Sequence, residues 1–264
     1  MSSIQVAVVT GSNKGIGLAI VRALCKKFSG DVYLTARDTG RGQAAVAKLQ
    51  EEGLKPLFHQ LDINDLQSIQ TLRDFLKEKY GGLNVLVNNA GIAFKVDDPT
   101  PFHIQAEETL KTNFFATKDI CNELLPLIKP LGKLIMLCFL EHHPSPLHRS
   151  VQCELVKLME TFVADTKKGV HEKEGWPNTA YGVSKIGVTV LSRIQARMLN
   201  EKRKADQILL NACCPGWVRT DMAGPKAPKT PDEGAETPVY LALLPPGADG
   251  PHGQYLSEKT IHPW

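Results

Sequence analysis

No stretch of this 264-residue chain approaches the ~20 consecutive apolar residues of a membrane span, so no transmembrane segment and no membrane partner are expected. The opening MSSIQVAVVTGSNKG holds too short an apolar run for a secretory leader. Cysteine is scarce and unpatterned. The six residues Cys25, Cys121, Cys138, Cys153, Cys213 and Cys214 form no CxxC pair, and a bridge between adjacent Cys213 and Cys214 would be badly strained. They read as free thiols in a reducing compartment, and a cytoplasmic protein is the expectation. Charge of one sign is lacking too: 31 Lys and Arg stand against 28 Asp and Glu, spread along the chain, which gives no footing for a nucleic-acid partner. His142, His143 and His148 cluster in a proline-interrupted tract, but without zinc-ligand spacing or an acidic or Cys group to complete a set, so no metal is expected. There are no repeats, no low-complexity tract and no domain break, and residues 1–264 read as a single domain.

What is present alternates strand and helix. The apolar run from Ile4 to Val9 leads into Thr10-Gly11-Ser12-Asn13-Lys14-Gly15-Ile16-Gly17 and then a helical periodicity beginning at Leu18. Glycines let the backbone approach a phosphate, and free amides at a helix N-terminus bind it. The spacing is GxxxGxG, and alone it could be only a tight turn; its place between first strand and first helix favours a dinucleotide cradle. Strands follow at 31–35, 56–61, 83–87, 132–137 and 208–213, and a short last strand near 254–256. Helices are expected at 40–53, 65–80, from Thr100-Pro101 through Asn113, at 153–168, from Tyr181 to about 200, and through Leu244. Such alternation predicts an α/β fold, a doubly wound parallel sheet of Rossmann type, with ligands at the carboxyl ends of the strands. Asp62, Ile63 and Asn89 fall at such ends, although Asp62 and Asn89 taken singly could be turn residues. The second strand ends in Thr35-Ala36-Arg37, with Arg41 a turn later and Lys14 in the glycine turn. Where an NAD site usually has an acid for the ribose, three cations suit the 2′-phosphate of NADP(H). Asp38 is the contrary sign, and its position suits a cap for the next helix.

Tyr181 and Lys185 stand four residues apart and share a helix face. A lone YxxxK is an ordinary helix surface; beside a cofactor it becomes a proton donor, because a fixed cation favours phenolate and would draw the tyrosine pKa down from ~10. An asparagine inside a helix, as at Asn113, is usually solvent-facing, but facing a site it could kink the helix and hold a relay water.

Thr10-Gly-xxx-Gly-x-Gly17, Asn88-Asn89-Ala90-Gly91, Asn113, Tyr181-xxx-Lys185 and Pro215-Gly216, in that order, resemble the short-chain dehydrogenase/reductase family. GSNKGIG, RGQAAV, FHQLDI, VNNAGIAFKV, TPFHIQAE, DTKKGVHEKEGWP, LLNACCPGWVRTDMAGPK and ETPVYLALLPP are similar, more narrowly, to its NADPH-dependent carbonyl reductases, a monomeric cytosolic branch. The resemblance implies hydride transfer from NADPH to small carbonyl substrates such as aldehydes, ketones and quinones, and extends to prostaglandins. Tyr181 would donate the proton, Lys185 would bind the nicotinamide ribose, Asn113 would complete the relay, and Val218, Arg219 and Thr220 would cover the cofactor. Phe94, Lys95, Val96 and Gln105 would line a pocket for glutathione conjugates, and Trp217 would wall the substrate site. One departure stands out. The family ends its fifth strand in two serines, the second of which hydrogen-bonds the substrate carbonyl; here the pair is Cys138-Phe139, the tract 138–152 matches nothing in the family, and the insertion at 138–178 before the tyrosine helix is about a dozen residues short. Phe139 has no donor, and Cys138 could serve only weakly, after a one-residue slip of the strand. A catalytically silent NADP(H)-binding protein is the alternative that follows.

Overall fold

Short apolar runs bounded by turns become strands, and the 3.6-period stretches between them become the helices that cover both faces of the sheet. The computed structural model describes residues 4–95, 97–138 and 151–263. Val96, Phe139, His142, His143 and His148 lie outside the described residues. The order is β1 (Gln5–Val9), α1 (Gly15–Lys27), β2 (Gly30–Ala36), α2 (Thr39–Glu51), β3 (Leu57–Gln60), α3 (Leu66–Tyr80), β4 (Leu83–Asn88), α4 (Phe102–Leu110), α5 (Thr117–Leu124) and β5 (Ile128–Leu137). There follow α6 (Gln152–Lys168), α7 (Ala180–Lys202), β6 (Leu209–Cys214), α8 (Pro231–Ala242), β7 (Tyr255–Ser257) and β8 (Thr260–His262). The sheet runs β3-β2-β1-β4-β5-β6-β7-β8, parallel throughout except for the antiparallel β7–β8 pair.

Alternate residues of the central strands feed two cores. Val6, Val8, Leu86, Leu134 and Met136 face α3, α4, α5, α6 and α7, while Ala7, Val9, Val85, Val87, Ile135 and Leu137 face α1, α2 and α8. A strand buried on both faces has no polar alternation to display, which is why these strands read as continuous apolar runs. Local signals set the helix starts. The Asp38 carboxylate accepts a hydrogen bond from the Arg41 amide at 2.7 Å and caps α2, so the contrary charge near the cations does cap the helix.

Three local expectations are corrected. The helix expected to run on through Asn113 is interrupted: α4 stops at Leu110, a π-helical turn occupies Lys111–Ala116, and α5 resumes. β5 begins at Ile128, not Gly132; its register against β4 shifts between Leu83 and Val85, and Leu131 takes a positive φ of 64° there. β8, all three residues exposed, adds a strand that no apolar pattern announces.

α6 packs on α4 and α7 and so backs the segment leading to Tyr181. Its Phe162 is fully buried, edge-on to Phe102 with ring centroids 6.5 Å apart and 5.3 Å from the Trp176 ring. Phe162→Ala should therefore lower the unfolding free energy by about 3–5 kcal/mol in urea titration, the usual cost of emptying a well-packed aromatic site.

Candidate active site

In a doubly wound sheet the crevice opens where strand order reverses, here between β1 and β4. The two strand ends are clasped. Thr10 Oγ1 accepts from the Asn89 and Ala90 amides, both at 3.0 Å, and Asn89 Nδ2 donates to the carbonyls of Thr10 and Gly11, both at 2.9 Å. Glycine is required at this junction. Gly11 has φ +59° and an added Cβ would sit 2.8 Å from Ala90 Cα; one on Gly17 would sit 2.5 Å from Asn89 Nδ2.

Above the clasp lies a cleft of about 650 Å³. Gly11, Asn13, Lys14, Gly15, Ile16 and Gly17 line its floor, where α1 begins, so the unpaired first amides of that helix lie at its edge. Arg37 and Arg41 line the side beyond β2, and no ion pair engages either guanidinium among the described residues. Asp62, Ile63 and Asn89 line it as well; Asp62 also accepts from the Asn64 amide at 2.9 Å, so its cleft-lining and turn-forming readings hold together. A cradle that any Cβ would fill, a helix N-terminus and a corner of cations fit a phosphorylated dinucleotide.

Tyr181 and Lys185 enter from α7, whose first turn is capped by Thr179 Oγ1 accepting from the Gly182 amide at 3.1 Å. Lys185 Nζ lies 5.5 Å from the Tyr181 ring centroid and donates to Leu137 O at 3.1 Å. The expected downward pull on the tyrosine is corrected by the structure. Burial drives the Tyr181 phenol well above its ordinary value, with the Cys138 and Cys214 thiols adding to the rise, and burial lowers Lys185. Desolvation penalises both charged forms and is the largest cause of each shift. Asn113 does not line the cleft. Its Oδ1 accepts from the Ile92 amide at 2.8 Å, and its Nδ2 donates to Ile92 O at 2.9 Å and Ser184 Oγ at 3.0 Å. With these three bonds Asn113 sets the position of the wall beside Lys185.

The remaining candidates are spread. Arg219 and Thr220 line the cleft, Thr220 resting on Gly15, while Val218 is buried against Gly234. Trp217 is 54% exposed outside the cleft lining, and Phe94, Lys95 and Gln105 lie beyond it, Gln105 Nε2 donating to Thr100 O at 2.8 Å. Sequence reasoning missed Thr10, Ser184 and Asp221. The first two act through hydrogen bonds to distant backbone or amide groups, and Asp221 through an ion pair with Lys14 at 2.6 Å; Thr10 alone had a local signal, its place beside the glycine turn.

Cys138 is buried at the mouth of β5 and lines the cleft. Its amide donates to Cys213 O at 2.9 Å and its Sγ points to the same carbonyl at 3.7 Å.

The family described as short chain dehydrogenase matches residues 5–138, stopping where the unmatched tract begins. Over 275 aligned residues the chain is 69% identical to carbonyl reductase (NADPH) 1 of Homo sapiens, covering 100% of this chain and 99% of that protein. It is 67% identical over 275 residues to the protein of the same name from Mus musculus, again covering 100% and 99%. With 264 residues here, the human relative has about 11 aligned positions (275 − 264) without a counterpart. The fold is similar to that of salutaridine reductase from Papaver somniferum, with a TM-score of 0.84 at 29% identity, covering 95% of this chain and 99% of that one.

Burial pushes the Cys138 thiol up to about 12, so at pH 8 roughly one molecule in 10⁴ carries the thiolate. Iodoacetamide at that pH should label exposed Cys153 quickly and leave Cys138 unmodified, as peptide mass spectrometry would read; equal labelling would contradict this.

Proposed function

The chain belongs to the short chain dehydrogenase family, and on that footing we propose that Tyr181 gives its proton to the oxygen of a carbonyl that is reduced to an alcohol. The protein is an NADPH-dependent carbonyl reductase, the activity named for the relatives that match it end to end, and its substrates are small carbonyl compounds. The observation that carries the site assignment is the convergence of the Tyr181–Lys185 pair, the glycine turn and the cationic corner on one cleft. NADPH supplies the hydride. The chain does the rest. Asn13 and the turn from Gly11 through Gly15 and Ile16 to Gly17 take the pyrophosphate at the start of α1. Lys14, Arg37 and Arg41 hold the 2′-phosphate, Asp62, Ile63 and Asn89 flank the adenosine half, and Val218, Arg219 and Thr220 cover the bound dinucleotide. Lys185 holds the nicotinamide ribose. A phenol raised by burial remains protonated through the neutral range, so Tyr181 begins the reaction holding the proton that the developing alkoxide needs.

We assign the substrate wall to Trp217 and, for glutathione conjugates, to Phe94, exposed Lys95, Val96 and Gln105, the lysine suiting an anionic peptide. We further propose a cytosolic monomer, consistent with six free cysteines; no helix among the described residues is long and apolar enough to cross a membrane. Sedimentation should give the 29.0 kDa chain mass, and twice that mass would refute the monomer.

With menadione, the wild-type protein should oxidise NADPH and Tyr181→Phe should lose at least ~10²-fold in kcat, the scale of a lost proton donor. Equal rates in the two proteins would favour the silent cofactor-binding reading instead. Phe139 stands where the family's carbonyl-binding serine is expected. Losing one preorganised donor costs ~10²–10³-fold, so Phe139→Ser should raise kcat/KM while leaving NADPH affinity unchanged.

A further inference from the structure

Lys14 comes from the turn that opens α1, and Asp221 from the tip of the segment joining β6 to α8; the two are 207 positions apart in sequence, yet Lys14 Nζ lies 2.6 Å from Asp221 Oδ2. Both line the cleft together with Arg37 and Arg41. We propose that Asp221 is a placeholder for the cofactor's 2′-phosphate, occupying Lys14 in the free protein and so limiting how strongly the site prefers NADPH over NADH. This rests on the assignment of Lys14 to that phosphate.

The segment's base is fixed. Val218 pairs with Lys229, the Arg219 guanidinium donates to Ala227 O at 3.1 Å and Pro228 O at 2.7 Å, and Lys229 Nζ binds Glu258 Oε1 at 2.8 Å. Its tip touches the glycine turn through Thr220, packed on Gly15, and through Asp221. Because the base is anchored, the Asp221 carboxylate stays beside the cationic corner whatever occupies it. The pair is open to solvent, with side chains 66% and 80% exposed, and ion pairs of that kind are weak. A phosphate brings more charge and more acceptor oxygens, and it meets two further cations that the carboxylate does not engage. Lys14 therefore exchanges Asp221 for the phosphate when NADPH binds. NADH has no 2′-phosphate and does not draw Lys14 away from Asp221 in that way. The carboxylate thus opposes NADPH twice, by competing for Lys14 and by repelling the incoming dianion, and opposes NADH only through the pyrophosphate that both cofactors share.

The test is fluorescence titration of Asp221→Asn with both cofactors at low salt. The variant should bind NADPH about two- to fivefold more tightly, the range that a weak exposed pair can supply, with a smaller change for NADH. The gain should shrink as ionic strength rises and be smaller in a Lys14→Ala background, where only the repulsion remains. Asp221→Ser should behave like Asp221→Asn, and matched thermal melts would exclude a folding defect. Unchanged NADPH binding, or looser binding of both cofactors, would overturn the proposal, the latter marking Asp221 as a plain latch on the loop. If Lys14→Ala leaves the ratio of NADPH to NADH affinities untouched, the phosphate assignment itself fails and the proposal with it. If Lys14→Ala lowers that ratio while Asp221→Asn changes nothing, only the placeholder falls.

Discussion

Three hydrogen bonds converge on the side-chain amide of Asn113, and the geometry of the catalytic end depends on them. Two go to the backbone of Ile92 in the loop after β4, and one to Ser184, which lies between Tyr181 and Lys185 on α7. Ser184 Oγ in turn donates to Tyr181 O at 2.8 Å, so a single amide ties loop, interrupted helix and catalytic helix together. Asn113 is 1% exposed, and a buried amide without partners would cost about 1–3 kcal/mol for each unmet group. The π-helical turn at Lys111–Ala116 carries this residue; such turns insert an extra residue into the helical ladder and re-aim side chains, often at functional sites. Gly91 completes the arrangement, since an added Cβ would lie 3.0 Å from Asn113 Oδ1 and 3.5 Å from Lys185 Nζ.

That scaffold holds Lys185 where solvation is poor. Lys185 is 6% exposed, and its ammonium has one backbone carbonyl as its hydrogen-bond acceptor among the described residues. A buried cation with a single neutral partner is costly, which is the sense of its lowered pKa. The same poverty of solvent raises Tyr181. On the proposed reading, the acceptors that Lys185 lacks would come from the ribose hydroxyls of the bound dinucleotide. Cofactor affinity and catalytic readiness then share one cause, the withdrawal of water from the foot of α7.

How much of this could be read beforehand follows the range of each signal. The alternation of elements, the glycine turn and the Asp38 cap were legible because strand runs, helical periods and caps are short-range properties. The cleft residues at the strand ends were legible through the rule that places ligands there. The clasp of Thr10 on Asn89, the Asn113 knot and the Lys14–Asp221 pair join residues 79, 71 and 207 positions apart, and no local period encodes such distances. The i, i+4 argument found Tyr181 and Lys185 correctly as neighbours but misjudged the sign of the tyrosine shift. Spacing gives separation, and only the surrounding packing gives the dielectric in which two charges act.

The same packing decides whether Cys138 can take over a missing hydroxyl. A one-residue slip of β5 would bring the thiol to the neighbouring position, yet the strand is paired on both edges, Asn88 with Met136 and Leu137 with Cys213. Such a slip would turn Met136 out of one core and Ile135 and Leu137 out of the other, exchanging faces along the whole strand. Exposing or misplacing three such side chains, at about 1.5–3 kcal/mol each, far exceeds what a weak S–H donor could return. The amide of Cys138 is already fixed on Cys213 O, and its sulfur is aimed at the same carbonyl. Register therefore holds the thiol on Cys213 O, and on the proposed reading the donor for the substrate oxygen is Tyr181.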